Sequence, residues 1–129
     1  MKLIDPALRL GIAASLAVSG VSHAYLFIHG YRFIPNIGPA FLVQASACLA
    51  VAVLLAVGGP GWLRWAGAAL SAGSLVAFAL SRTVGLFGFT EVGWEPAPHA
   101  AISVAAEAVT VALWAIWLAP RLRRVGQPQ

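Results

Sequence analysis

Residues 98–118 read PHAAISVAAEAVTVALWAIWL, and Glu107 is the only Asp, Glu, Lys or Arg among them. A helix of ~20 mostly apolar residues, rising 1.5 Å per residue, crosses the ~30 Å hydrocarbon layer of a bilayer. A soluble helix of that length needs a charged face, and this one has none. The stretch therefore reads as a transmembrane helix. Working outward from it, Pro6–Tyr25, Pro39–Val57 and Trp62–Ser81 have the same character. Hydrophobic residues make up 60% of the 129-residue chain and charged residues 9%, against about 25% charged in soluble domains. The expected fold is all-α: one domain over residues 1–129, an antiparallel four-helix transmembrane bundle.

The net charge of +4 does not point to nucleic acid, because the basic residues are sorted by side. Lys2, Arg9, Arg64, Arg121, Arg123 and Arg124 fall on one side of a four-span arrangement; Arg32 and Arg82 fall on the other, with Glu91 and Glu95. Membrane proteins keep their excess of Lys and Arg in the cytoplasm, so both termini are expected inside. The Tyr25–Gly38 and Arg82–Ala97 loops are then expected outside. Trp62, Trp65, Trp114 and Trp117 near one boundary, and Tyr25, Phe27, Tyr31 and Trp94 near the other, match interfacial aromatic belts. A competing reading takes Lys2, Arg9 and the small residues at Ser22–Ala24 as a cleaved signal peptide; an uncleaved first helix is the preferred one.

Proline and glycine mark the borders. Asp5 and Pro6 read as helix cap and first helical residue. Gly58-Gly-Pro-Gly61 is a tight turn, and Pro120 reads as the end of the last helix. The segment 85–94, GLFGFTEVGW, is expected to lie along the interface or fold back over the mouth of the bundle. The single cysteine, Cys48, rules out an intramolecular disulfide and reads as a packing residue.

Each span carries a small or polar stripe at helical spacing. These are Gly11, Ser15, Ser19, Ser22 and His23; Gln44, Ala47, Cys48 and Ala52; Gly67, Ser71, Ser74, Phe78 and Ser81; and His99, Ser103, Glu107, Thr110 and Trp114. In lipid such stripes face neighbouring helices, where small residues permit close approach and hydroxyls bond across the gap.

Glu107 is the most informative residue. It lies roughly 13 Å below the outer boundary at 1.5 Å per residue, where a carboxylate costs at least ~2.5–3.5 kcal/mol. It must be protonated, paired or turned to a polar cavity. A proton relay or ligand-polarising role stands beside a purely structural hydrogen bond. His23, Gln44, Arg82, His99 and Ser103 fall at similar depth on the four spans, so an outer-half polar pocket is expected. Arg82 either snorkels to the headgroups or pairs with Glu107, Glu91 or Glu95. Two histidines on facing helices, His23 and His99, are weak candidates for a haem or metal site.

The stretch with Arg9-Leu-Gly11, Ser19-Gly-Val-Ser-His23, Tyr31 and Ile34-Pro35 resembles the DoxX-like group of small four-helix bacterial membrane proteins, over about residues 7–57. The second half, with Ser81-Arg-Thr-Val-Gly-Leu86, Glu95-Pro96 and Glu107, resembles uncharacterised small membrane proteins of high-GC, actinobacterial-type bacteria. The DoxX-like resemblance implies association with membrane redox or oxidative-stress assemblies, including quinone-linked ones. The expectation is a multi-pass protein of the bacterial plasma membrane and an accessory, non-catalytic subunit. It would bind a quinone-like ligand and a protein partner or second copy. A proton-coupled transporter using Glu107 and a haem or metal binder are the alternatives.

Overall fold

The computed structural model describes residues 3–128; Lys2, counted on the basic side above, lies outside them. The chain forms helix α1 (Ile4–Ile28), a 3-10 turn (Tyr31–Phe33), α2 (Ile37–Ala56), α3 (Trp62–Ser81) and α4 (His99–Val125). All four α-helices are long and apolar enough to cross a membrane. Among the described residues no strand forms; Leu86 and Phe89 make one isolated bridge in a loop. Helix α1 packs mainly against α2 and α4, and α3 packs mainly against α4.

The two ends of the bundle differ. At the turn end, residues 57–61 join α2 to α3, and the start of α1, the start of α3 and the late part of α4 meet. At the loop end, the segments 29–36 and 82–98 connect the remaining helix ends. Ile12, Leu16, Cys48, Ala52, Leu55 and Leu63 form the apolar core. Close approach relies on missing side chains. A Cβ on Gly20 would come within 2.8 Å of the Leu49 side chain, and one on Gly67 within 2.8 Å of Leu16. This is the small-residue packing that membrane helices use where water supplies no driving force.

The polar stripes do face inward. Ser15, Ser19, Ser22, His23, Ser71, Ser81, Ser103, Glu107 and Thr110 are all buried. Ser15 and Thr110 share a 2.6 Å hydrogen bond between α1 and α4. Cys48 is fully buried in the core.

Two expected helix borders are corrected. Asp5 does not cap α1: the cap position falls at Leu3, with no side-chain hydrogen bond. The Asp5 carboxylate is instead taken by Arg64 in a two-pronged contact at 2.9 and 3.0 Å, and by Arg121 at 3.3 Å. Pro6 still sits in the first turn, where a missing N–H is harmless. Pro120 does not end α4 either, since the helix continues to Val125. A proline removes one ladder bond rather than the whole turn, and Arg121 Nη1 donates to the Trp117 carbonyl at 2.6 Å beside it.

At the turn end Trp117 is 8% exposed. It lies between two guanidinium groups, with Arg64 at 4.9 Å and Arg121 at 4.3 Å from its ring. Asp5, Arg64, Trp117 and Arg121 thus form one packed cluster, while Trp62 and Trp65 at the same end stay exposed.

Candidate functional site

Helices α1 to α4 and the 82–98 loop enclose a cavity of about 180 Å³ at the loop end. A dry pocket of about 150 Å³ holds a benzene molecule, so this space takes one ring or a small headgroup.

Its floor is polar and is built around Glu107. That side chain is 1% exposed. Ser103, one helical turn earlier on α4, donates to Glu107 Oε1 at 3.2 Å. Ser19 on α1 donates to Oε2 at 3.5 Å. Among the described residues the ion pairs are Asp5–Arg64 and Asp5–Arg121, so no cation pairs with Glu107. The expected Arg82–Glu107 contact is not made.

His23 extends the floor. Its Nδ1 lies 2.8 Å from the Ser19 carbonyl oxygen. A carbonyl only accepts, so Nδ1 carries the proton. The ring's Nε2 points to Ser74 Oγ at 3.4 Å. Ser103 Oγ lies 3.5 Å from Nδ1 while bonding Glu107, so hydroxyls link the imidazole to the carboxylate. Gln44 lines the cavity on α2; its amide donates to the Leu70 carbonyl at 3.1 Å and to Cys48 Sγ at 3.4 Å.

The walls are aromatic and aliphatic, with Phe41, Phe78 and Tyr31 among them. Phe41 lies 4.9 Å from the His23 ring and 4.7 Å from Tyr31. The roof is the 82–98 loop, which folds back over the bundle, one of its two expected placements. Arg82 fastens it. The guanidinium donates to the Gly93 carbonyl at 3.0 Å, to Ser81 Oγ at 2.7 Å, and to the Glu95 carbonyl. It also stacks 4.0 Å over Phe78. A second fastening joins the loops, with the Tyr31 hydroxyl donating to Glu91 Oε1 at 2.6 Å.

No family model, curated protein or solved structure matches this chain.

Of the residues singled out from the sequence, His23, Gln44, Arg82, Ser103 and Glu107 line one cavity. His99 does not join them. Its ring stacks 4.1 Å from Tyr25, whose ring also stacks on His29 at 3.9 Å. The two histidines proposed as haem or metal ligands are thus turned to different surroundings. Groups of three or more His, Cys, Asp or Glu side chains fit to hold a metal are absent among the described residues. Sequence reading missed the roles of Tyr31, Phe41 and Phe89. Tyr31 was visible as an interfacial aromatic and as part of the DoxX-like resemblance; its pairing with Glu91, 60 positions away, leaves no local sign.

The Tyr31 phenol is held above its ordinary value of 10.0, first by burial and then by its hydrogen bond to Glu91. The folded state therefore holds this proton more tightly than the unfolded one. That contribution to stability is fully present below pH 10.0 and is lost as pH rises through the higher folded value. Thermal unfolding of the wild type should fall more steeply above pH 10 than that of Tyr31→Phe, which has no phenol proton to lose. Parallel curves would show that this contact does not couple to folding.

Proposed function

We propose that the protein is an antiparallel four-helix bundle of the bacterial plasma membrane, with both termini in the cytoplasm. It binds a lipophilic, quinone-like ligand in its outer half as the accessory subunit of a membrane redox or stress-related assembly. The observation that carries the ligand reading is Glu107: a fully buried carboxyl group with no cation, held by hydroxyls, at the floor of an aromatic-walled cavity. Pockets for small ligands combine apolar walls with a few polar groups that fix orientation. A ring with a carbonyl or hydroxyl edge meets both demands. Its plane would pack among Phe41, Phe78 and Phe89, and its oxygen would reach the Ser74, Ser103, His23 and Glu107 group.

The basic residues at the turn end support the cytoplasmic assignment. The subunit role and bacterial setting are carried by the DoxX-like resemblance of residues 7–57.

The test uses the protein in lipid nanodiscs titrated with decyl-benzoquinone. The Trp94 ring lies 5.4 Å from that of Phe78, which lines the cavity. Its fluorescence, isolated by comparison with Trp94→Phe, should be quenched to saturation by one equivalent of bound quinone. Quenching that only rises linearly with quinone in the membrane would overturn the assignment. Recovery of one redox enzyme with the protein from native membranes would support the subunit role, and recovery of none would remove it.

The hydroxyl-linked path from Glu107 through Ser103 to His23 favours proton-coupled transport as a second reading, with Glu107 as the switch. A Glu107→Gln variant that keeps full proton-coupled uptake would exclude it.

A further inference from the structure

We propose that the cavity opens sideways into the lipid between α2 and α3, so that its ligand arrives from the bilayer and not from water. The proposal rests on the membrane setting proposed above and names the route by which that site is filled. Among the residues lining the cavity only Ala40, on α2, and Gly73, on α3, are exposed; every other is buried or half-buried. Both are small, and they lie at different depths on the two helices that border this side of the cavity. A Cβ built on Gly73 meets no atom within 4 Å, in contrast to Gly20 and Gly67, where helices press together. Gly73 is therefore not a close-packing position, and the space where its side chain would stand is open.

The depth of the gap fits a lateral opening. Ala40 lies roughly 5 Å and Gly73 roughly 12 Å below the loop ends of their helices at 1.5 Å per residue. That range falls inside the hydrocarbon of a bilayer spanned by these helices. The aqueous approach is covered. Leu86, Phe89 and Pro96 lie in the roof, and the roof is pinned by Arg82 and by the Tyr31–Glu91 bond. Water-soluble solutes meet a fastened lid, while a molecule dissolved in lipid meets a slot flanked by two small residues. The class of ligand selected is an amphiphile with an apolar tail left in the bilayer and a ring of benzene size in the cavity.

The test reads the opening with no ligand present. In a Cys48→Ala background, Ala100→Cys places a thiol on the α4 wall of the cavity, where Ala100 is 6% exposed. Its alkylation by N-ethylmaleimide, which enters lipid, is compared in nanodiscs with modification by a membrane-impermeant sulfonated thiosulfonate. Each rate is divided by the rate at Val84→Cys, which is 83% exposed in the loop. The lipid-soluble reagent should be favoured. Adding Ala40→Phe with Gly73→Phe should slow it roughly tenfold, the equivalent of ~1.4 kcal/mol of barrier. Ala69→Phe, an exposed position of α3 outside the cavity, should leave it unchanged. Equal normalised rates for the two reagents, no reaction with either, or indifference to the paired phenylalanines would each overturn the lateral opening. Failure of quinone binding with this labelling pattern intact would remove the ligand and leave the opening standing.

Discussion

Asp5→Ala is expected to destabilise the protein by about 3 kcal/mol, the lower end for breaking a buried ion pair. Arg64 is 5% exposed, and its guanidinium meets the carboxylate through two hydrogen bonds. Removing Asp5 leaves that cation buried with only the Trp117 ring for company. The figure sits at the lower end because half of the Asp5 side chain is exposed, so water already shares the carboxylate. The paired variant Asp5→Ala/Arg64→Met should recover most of the loss, since neither charge is then stranded. Unfolding in nanodiscs, followed by tryptophan fluorescence, measures both. A single variant as stable as the wild type would show that the cluster does not hold α1, α3 and α4 together at this end.

Glu107→Leu should have the opposite signature: ligand affinity falls while stability holds. Leucine roughly keeps the volume, and replacing a buried polar group by an apolar one of similar shape is often neutral or stabilising. Ser19 and Ser103 lose an acceptor with the carboxylate but keep the His23 Nδ1–H beside their oxygens at 3.5 Å, so neither hydroxyl is left without a partner. The loss should appear in decyl-benzoquinone binding, with an increase in Kd of roughly tenfold or more, equivalent to ~1.4 kcal/mol for one orienting hydrogen bond. Equal affinity in wild type and Glu107→Leu would reduce Glu107 to a packing residue. A variant that fails to fold would show that its hydrogen bonds are structural.

The four helices were legible because hydrophobic length is a local property, readable in one window at a time. The third span, Trp62–Ser81, has the same borders in sequence and structure. The inward faces were legible for a similar reason: Ser15, Ser19 and His23, or Ser103, Glu107 and Thr110, recur at helical spacing and end up buried. Borders set by side chains from elsewhere were not. Asp5 has the chemistry of a cap, and only Arg64 and Arg121, brought in by folding, decide that it serves as a counter-ion. Pro120 reads as a stop until the helix is seen to continue past it. Five candidate site residues share a cavity because depth along a span can be counted. His99 escapes because depth does not fix rotation: it turns toward Tyr25. The roof was the least readable part, being built from contacts between the two loops.

The central claim is that one cavity, floored by Glu107 and walled by aromatics, holds a lipophilic ring. A benzophenone-bearing benzoquinone, photolysed in nanodiscs with the protein and mapped by peptide mass spectrometry, tests it most directly. Labelling concentrated in residues 37–44 and 73–89, suppressed by excess decyl-benzoquinone and by Glu107→Leu, is the expected result. Labelling spread over exposed residues outside the cavity such as Val18, Val53 and Val109, unaffected by competitor or variant, would contradict it.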